Sequence, residues 1–290
     1  MPASEAMRPE QGSAPRRAAP QNPVRVICVA SGKGGVGKTS TTINLAVALA
    51  TLRRRVLILD ADLGLANVDV LLGLHPVWNL AHVLAGERTL EEILLDGPHG
   101  IRIVPASSGI KRMAELSPVE HAGIISAFSE LGDAFDVLLV DCAAGISDGV
   151  VTFARAAQEV VVVVCNEPAS ITDAYALIKL LSRDYGVDHL HVLANRVAGH
   201  REGVDLYTKL VKVTDRFLDV TLSHIGSIPE DAQLRRAIQM QQAVVDAFPS
   251  ARASASFLRL AENIERWPLP AGPSGHLQFF LERLVGAGVR

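Results

Sequence analysis

An octet near the start of the chain, Gly-Lys-Gly-Gly-Val-Gly-Lys-Thr at residues 32–39, constrains the fold more than any other feature. It matches the pattern G-x-x-x-x-G-K-[ST] in full, and the apolar run before it, residues 24–30, predicts a β-strand. The residues after it recur with the period of a helix. A strand, a Gly-rich turn and a helix in this order are the setting of a phosphate-binding loop. The octet therefore predicts an α/β protein that binds a nucleotide.

The residue types of the octet explain how it would hold phosphates. Glycines let the backbone curl so that successive N–H groups point inward, and the following helix adds the positive end of its dipole. We expect Lys38 to reach the β- and γ-phosphates and the Thr39 hydroxyl to ligate Mg²⁺, which prefers oxygen ligands. The residues predicted to bind ATP or ADP here are Gly34, Gly35, Val36, Gly37, Lys38, Thr39 and Ser40.

Composition narrows the class of protein. The 28 basic and 31 acidic residues nearly balance, and without a long basic block we expect no direct contact with nucleic acid. Hydrophobic residues make up 49% of the chain and aromatic residues only 4%, which suits a parallel sheet buried between helices. The three cysteines lack metal-ligand spacing, and neither a signal peptide nor an 18-residue apolar run is present. These features predict a cytoplasmic protein with buried, reduced cysteines.

Apolar runs that alternate with segments of helical period predict a doubly wound, mainly parallel sheet with helices on both faces. The predicted strands are residues 25–30, 55–60, 101–105, 136–141, 159–165, 190–195 and 224–228. Three regions are expected along the chain. Residues 1–23, rich in Pro, Ala, Gln and Arg, predict a disordered lead. Residues 24–268 form the nucleotide-binding domain, and residues 269–290 hold a Pro/Gly break and an amphipathic helix.

Carboxylates follow two further strands. Asp60 and Asp62 come after the second predicted strand, and Asp141 ends the fourth. Ligands of such sheets bind at the carboxyl ends of the strands, and an Asp after an apolar strand is a usual partner of a phosphate loop. A lone Asp at a strand end is more often a helix cap or turn residue. Here two predicted strands carry such an Asp and a third leads into the phosphate loop. This combination favours a shared site for magnesium and the nucleotide.

The octet and the acidic strings resemble those of the MinD/ParA family of ATPases. The early lysine, Lys33, is not required by a standard phosphate loop, and in the family this lysine crosses a dimer interface to the partner's nucleotide. The strings at residues 60–67 and 141–145 resemble the two switches of the family. By resemblance, Asp62 positions the attacking water, Asp141 lies on the magnesium side and Asp60 is structural. Lys33, Lys38 and Asp62 are thus the implied catalytic residues.

The resemblance also implies how the base is held. An Asn at the end of a later strand reads the adenine edge in the family, and Asn195 occupies that place here. The loop after the last strand, with Pro229, Glu230 and Asp231, is expected to cover the base.

Within the family, the chain is most similar to FlhG/FleN-type ATPases that limit flagellar number. The similarity lies in the stretches at residues 67–74, 144–148, 170–181, 267–270 and 275–285. It implies an ATP-dependent homodimer that hydrolyses ATP slowly and restrains an AAA+ enhancer-binding flagellar activator (FleQ-like). A flagellar signal-recognition-type GTPase (FlhF-like) is a second implied partner. The activating motif for that GTPase, Asp-Gln-Ala…Leu-Arg, is replaced here by Glu10-Gln11-Gly12 and Arg16-Arg17.

The end of the chain carries a regular apolar stripe. As a helix, residues 275–285 place Leu277, Phe280, Leu281, Leu284 and Val285 on one face. Two interpretations remain open: a terminal helix docked on its own domain, or a reversible membrane-surface helix of the kind found in MinD relatives. In the second interpretation, a cytoplasmic protein becomes reversibly membrane-associated or polar.

Four other functions remain open. A ParA-like ATPase that partitions DNA or cargo needs a basic face, against which the near-neutral charge argues. A MinD-like positioning ATPase shares the same motifs. A metabolic P-loop enzyme would need a substrate pocket, and a metallocluster carrier would need a Cys-x-x-Cys pair, which the sequence lacks.

Overall fold

The protein is represented by a computed structural model. It describes residues 24–62, 67–105, 127–128, 131, 134–268 and 280–284. Three predicted features lie outside these residues. They are the lead at residues 1–23, the Pro/Gly break at residues 269–279, and Leu277 and Val285 of the apolar stripe.

The core is one eight-stranded sheet with the strand order β3-β4-β2-β5-β1-β6-β7-β8. All neighbouring strands are parallel except β3 and β4, which pair antiparallel. The strands are β1 Arg25–Ser31, β2 Val56–Ala61, β3 Leu95–Asp96, β4 Arg102–Val104, β5 Val137–Ala144, β6 Glu159–Cys165, β7 His189–Val197 and β8 Thr221–Pro229. The prediction of a doubly wound, mainly parallel sheet is confirmed, and each of the seven predicted strands overlaps an observed one.

The helices cover both faces of the sheet. They are α1 Lys38–Thr51, α2 Val68–Leu71, α3 Leu80–Leu84, α4 Leu90–Ile93, α5 Asp148–Ala156, α6 Pro168–Tyr185, α7 His200–Phe217, α8 Ala232–Gln239, α9 Val244–Ala247 and α10 Arg252–Glu265. One hydrophobic cluster joins a sheet face to α1, α8, α9 and α10. The other joins the opposite face to α5, α6 and α7. Because β1 is buried at every position, its continuous apolar run is what a strand between two helical layers requires.

The strand order also fixes where a ligand can bind. From β1 the chain crosses to β2 on one side of the sheet, whereas from β6 it continues to β7 on the other side. Such a reversal opens a crevice beyond the carboxyl ends of the two neighbouring strands. The loop that contains the octet leaves β1 at this crevice.

The last described residues, 280–284, form a short helical run that packs on the domain. Phe280, Leu281 and Leu284 are buried and belong to the same hydrophobic cluster as α5, α6 and α7. Glu282 and Arg283 are exposed. In this structure, the described part of the apolar stripe is therefore docked. Among the described residues, no helix is both long enough and apolar enough to cross a membrane.

Candidate nucleotide-binding site

The octet forms a glycine-dependent turn between β1 and α1. Gly35 and Gly37 have φ angles of 76° and 92°, a left-handed conformation that side chains disfavour. Gly32 packs so closely on α6 that a Cβ would lie 2.1 Å from the carbonyl of Asp173. Gly37 is also the N-cap of α1, whose N-terminus receives no side-chain cap. The first N–H groups of α1 are thus left for an external anion.

Asp141 lies beneath this loop and presents an unpaired oxygen. The carboxylate is fully buried, and its Oδ1 accepts a hydrogen bond from the Thr42 hydroxyl at 3.0 Å. Its Oδ2 is buried without a hydrogen-bond partner among the described residues. Burial raises the pKa of Asp141 to about 6, against the opposing effect of the Thr39 and Thr42 hydroxyls and the Lys38 charge. A buried carboxylate oxygen beside the Thr39 hydroxyl suits a hard cation such as Mg²⁺.

Asp60 lies opposite Asp141 in the register of β2 and β5 and holds the loop that follows β2. Its Oδ1 accepts a hydrogen bond from Asp62 N at 3.1 Å. Its Oδ2 accepts from Asn67 N and Val68 N, both at 3.2 Å. This carboxylate therefore ties together the two ends of the segment 62–67, in agreement with the structural role predicted for it.

Burial, and then the charge of Asp141, raise the pKa of Asp60 to about 7. Because the folded pKa exceeds the unfolded value, the stability that Asp60 contributes is present at low pH and is lost as the pH rises through about 7. We expect the stability advantage of the wild type over Asp60→Asn to shrink by roughly 2–3 kcal/mol between pH 5 and pH 8. Urea unfolding of both proteins at each pH measures this difference. An advantage that is constant or grows with pH would contradict the assignment.

Asp62 lies partly buried just beyond β2, and its charge raises the pKa of Asp141. Asp141 lies beneath the phosphate loop, whereas Asp62 lies where the next loop begins. Their different surroundings are consistent with the different roles that the resemblance implies, magnesium binding for Asp141 and water positioning for Asp62. The assignment of water positioning to Asp62 stays a prediction.

Lys33 forms an ion pair within its own chain. Its Nζ lies 3.0 Å from Oε2 of Glu167, and the two side chains are 37% and 49% exposed. The hydrogen bond from Lys33, and then its charge, lower the pKa of Glu167. Glu167 immediately precedes α6 and was not among the predicted site residues. Its position just beyond an apolar strand, the signal that singled out Asp60 and Asp141, would have identified it. Exposed ion pairs contribute little, so this pair can exchange.

Asn195 contacts the phosphate loop directly. Its Nδ2 donates to the carbonyl of Val36 at 2.7 Å, and its Oδ1 accepts from Arg196 N at 3.0 Å. A Cβ at Gly37 would lie 2.5 Å from the same Nδ2. Asn195 is thus a brace for the loop, a contact that sequence reasoning missed. Its predicted contact with adenine stays a prediction.

The residues after β8 are engaged in local structure. Glu230 N donates to the Val197 carbonyl at 2.8 Å, and the Glu230 carboxylate pairs with Arg235. Asp231 is the N-cap of α8, where its Oδ1 accepts from Gln233 N at 2.8 Å. Its Oδ2 accepts from Ala253 N at 3.0 Å. The structure therefore fixes the shape of this loop, and the predicted cover over the base stays a prediction.

A cavity of about 710 Å³ opens along the outer edge of β8, between the start of α7 and α10. Pro229 at the end of β8 lines it, together with Arg252 and Arg259 of α10. No residue of the octet lines this cavity, so it is separate from the phosphate-binding turn.

The cysteines are all buried, as predicted. Cys28 and Cys142 lie side by side on β1 and β5, with their sulfur atoms 3.1 Å apart. Cys165 donates to the Val36 carbonyl at 3.6 Å. Burial raises the pKa of the Cys165 thiol, and the hydrogen bond with Cys28, followed by burial, raises the pKa of the Cys142 thiol. Both shifts favour the protonated thiol over the thiolate that binds metals.

Comparison with known proteins agrees with this geometry. A family model described as "ParA: NUBPL iron-transfer P-loop NTPase" matches residues 22–265. The protein named antiactivator FleN of Pseudomonas aeruginosa is 60% identical over 264 residues, which cover 91% of this chain and 94% of that protein. The flagellum site-determining protein YlxH of Helicobacter pylori is 33% identical over 266 residues, 90% of each chain.

A solved structure has the same fold. The septum site-determining protein MinD of Pyrococcus horikoshii, complexed with Mg-ADP, superposes with a TM-score of 0.65 at 27% identity. The match covers 84% of this chain and 96% of that one. The family model and the relatives extend over nearly the whole described domain, including the phosphate loop and the acidic strand ends. The chain therefore belongs to the ParA/MinD family of P-loop ATPases.

Proposed function

We propose that this protein is a regulatory ATPase that dimerises with ATP, hydrolyses it slowly and controls flagellar number. It does so by restraining a flagellar master transcriptional activator. The 60% identity over 264 residues to the protein named antiactivator FleN carries this proposal. The proposed partner is an AAA+ enhancer-binding activator (FleQ-like), and the proposed location is the cytoplasm.

In this proposal, different residues of the site bind the phosphates, the magnesium ion and the attacking water. The turn from Gly34 to Ser40 binds the phosphates of ATP or ADP, and Lys38 neutralises part of their charge. Thr39 and Asp141 would hold Mg²⁺, which would supply further charge neutralisation at the phosphates. Asp62 orients the attacking water. The buried, unpaired Oδ2 of Asp141 is the feature of the structure that favours a cation here.

Asp60 links the nucleotide site to α2, whose exposed end we take as a surface for the partner. This carboxylate binds the backbone of Asp62 on one side and of Asn67 and Val68 on the other. Val68 begins α2, whose Val70 side chain is 56% exposed. A shift of Asp62 on arrival of the γ-phosphate would therefore be transmitted to the exposed end of α2, as in switch loops that sense this phosphate.

The activator interaction can be tested directly. We expect a pull-down of the purified chain with its AAA+ activator to succeed with ATP and to fail with ADP, because the dimer is the binding form. A strain without the protein should carry extra flagella. The Lys38→Ala variant serves as the matched control, since it cannot bind nucleotide. Absence of the ATP-dependent complex together with a normal flagellar number would refute the regulatory proposal and leave the ATPase family intact.

A positioning function is the second candidate, because the H. pylori relative is named a flagellum site-determining protein. It predicts misplaced flagella in normal number. Counting flagella and mapping their sites in the same deletion strain separates the two functions. Contact with an FlhF-like GTPase belongs to this candidate, although the lead lacks the activating motif.

The docked end of the chain leads to a separate prediction. Phe280, Leu281 and Leu284 are buried in this structure, so membrane contact requires their release. We expect ATP to raise co-sedimentation of the intact protein with anionic vesicles, because a dimer presents two helices at once. A chain that ends at Pro273 should show no such increase. Equal binding of both proteins, or no effect of ATP, would reject the conditional anchor.

A further inference from the structure

A second cluster of chemically active side chains lies at the amino-terminal ends of β6 and β7. This is the end of the sheet opposite to the phosphate loop, which follows the carboxyl end of β1. Glu159 is the first residue of β6, and His189 and His191 lie two positions apart at the start of β7. Because side chains two apart on a strand share a face, both imidazoles project to the same side of the sheet. One potential ligand atom from each of the three residues lies within 4.8 Å of the others.

The cluster is already ordered by direct contacts. His191 Nε2 lies 2.8 Å from Oε2 of Glu159, and His189 Nε2 lies 2.9 Å from the Ser223 hydroxyl. The His191 ring stacks on Trp267 with centroids 4.0 Å apart and planes 8° apart. His191 is 5% exposed, and its Nδ1 is buried without a hydrogen-bond partner among the described residues. The ring is thus held in place while one of its nitrogens stays unsatisfied.

We propose that Glu159, His189 and His191 form a site for a divalent transition metal, best suited to Zn²⁺, with solvent as the fourth ligand. Two imidazoles and one carboxylate are a ligand set that zinc takes in proteins, with a fourth position left for water. The exposed His189 provides the open side for metal entry and for that water.

A metal would require the three ligand atoms, which lie within 4.8 Å of one another, to shift by up to about 1.5 Å relative to one another. Ligand atoms around a tetrahedral zinc lie roughly 3.3 Å apart, given metal–ligand distances near 2.0 Å. The pair of Glu159 and His191 needs to separate by only a few tenths of an ångström from its 2.8 Å hydrogen bond. His189 needs to leave the Ser223 hydroxyl, and its partial exposure makes that rotation inexpensive.

The charges around the cluster are compatible with a cation. The Glu159 carboxylate supplies a negatively charged ligand within 4.8 Å of the two imidazoles. Arg25 interacts electrostatically with Glu159 and binds the carbonyls of Ile264 and Trp267. Its positive charge opposes a cation at the cluster, but its hydrogen bonds go to those carbonyls, and the Glu159 carboxylate keeps its contact with His191.

A metal at this site would affect the residues at the end of the domain. The site would join β6 and β7 to Trp267, which stacks on one of its ligands and lies two residues before the Pro/Gly break. A bound metal would therefore restrict the motion of Trp267, after which the terminal segment begins. This role is independent of nucleotide binding, since none of the three ligands belongs to the phosphate site.

The test uses the intact chain without a polyhistidine tag, stripped of metal and free of nucleotide. A Trp78→Phe background leaves Trp267 as the single tryptophan, because the chain has two. We expect Zn²⁺ to change the Trp267 fluorescence with a stoichiometry of one ion per chain, and Co²⁺ to give the visible spectrum of a tetrahedral site. Mg²⁺ in excess should not compete, because it prefers oxygen ligands.

Variants decide whether the cluster is the site. His189→Gln and Glu159→Gln should each weaken Zn²⁺ binding at least tenfold, whereas His75→Gln, which removes an exposed histidine elsewhere, should leave it unchanged. Circular dichroism of each variant verifies that it is folded. The proposal is overturned if Zn²⁺ does not bind saturably, or if the folded His189→Gln and Glu159→Gln variants bind it as the parent does. In either case the cluster is a structural hydrogen-bonded pair with a neighbouring histidine.

Discussion

Lys33→Ala is expected to bind ATP within a few-fold of the wild type but to lose both ATP-dependent dimerisation and hydrolysis. In the structure Lys33 is paired with Glu167 of its own chain and is more than one third exposed. By resemblance its working position is on the nucleotide of a second subunit. Cations supplied in this way accelerate phosphoryl transfer by about 10³–10⁵-fold, so the loss of turnover should be of that order. Light scattering with ATP and single-turnover hydrolysis measure the two effects.

Two control variants make this test specific. Lys38→Ala should abolish nucleotide binding itself, because Lys38 is buried beside the phosphate turn. Glu167→Ala removes only the partner of Lys33 within the chain, so it should retain dimerisation and turnover and form the dimer at a lower ATP concentration. A Lys33→Ala protein that dimerises and hydrolyses ATP normally would show that Lys33 is an ordinary surface lysine.

Asp62→Ala is expected to bind ATP and dimerise but to hydrolyse ATP at least a hundred-fold more slowly. A residue that orients the attacking water acts in the chemical step, and such groups contribute about 10²–10⁴-fold. The variant should therefore accumulate as an ATP-bound dimer that restrains the activator constantly. Measuring the bound nucleotide and the mass in solution after prolonged incubation with ATP detects this state.

The neighbouring carboxylates provide the comparison. Asp141→Ala should weaken magnesium-dependent nucleotide binding, because its buried Oδ2 lies where a cation is expected. Asp60→Ala should destabilise the fold, because three backbone N–H groups lose their acceptor. If Asp62→Ala fails to bind ATP, then this residue belongs with one of these two roles instead of with hydrolysis.

The fold was predictable because its signals are local and strong. β1, β5 and β6 each contain an apolar run of at least four residues, and each is buried along most of its length. The sequence therefore determined the strands, the alternation with helices and the parallel sheet. β3 was missed because two residues are too few to show a period, and it joins the sheet only as an antiparallel edge beside β4.

Part of the candidate site could likewise be predicted from the sequence. The sequence alone determined the phosphate loop, since its glycines, Lys38 and Thr39 are contiguous and their spacing is dictated by the shape of a phosphate. It also predicted Asp60 and Asp141 at strand ends, whereas β5 continues past Asp141 to Ala144. Parallel pairing puts the two carboxylates in register on neighbouring strands.

Only the tertiary structure decided which of these groups touch. The bond from Asn195 to Val36 joins residues 159 positions apart, and the pair of Lys33 and Glu167 spans 134 positions. The burial of Phe280 against the domain is likewise invisible in the stripe, since an amphipathic helix looks the same whether protein or lipid covers it. The sequence determines the chemistry that each segment carries, whereas contacts between distant segments depend on the order and register of the strands that carry them.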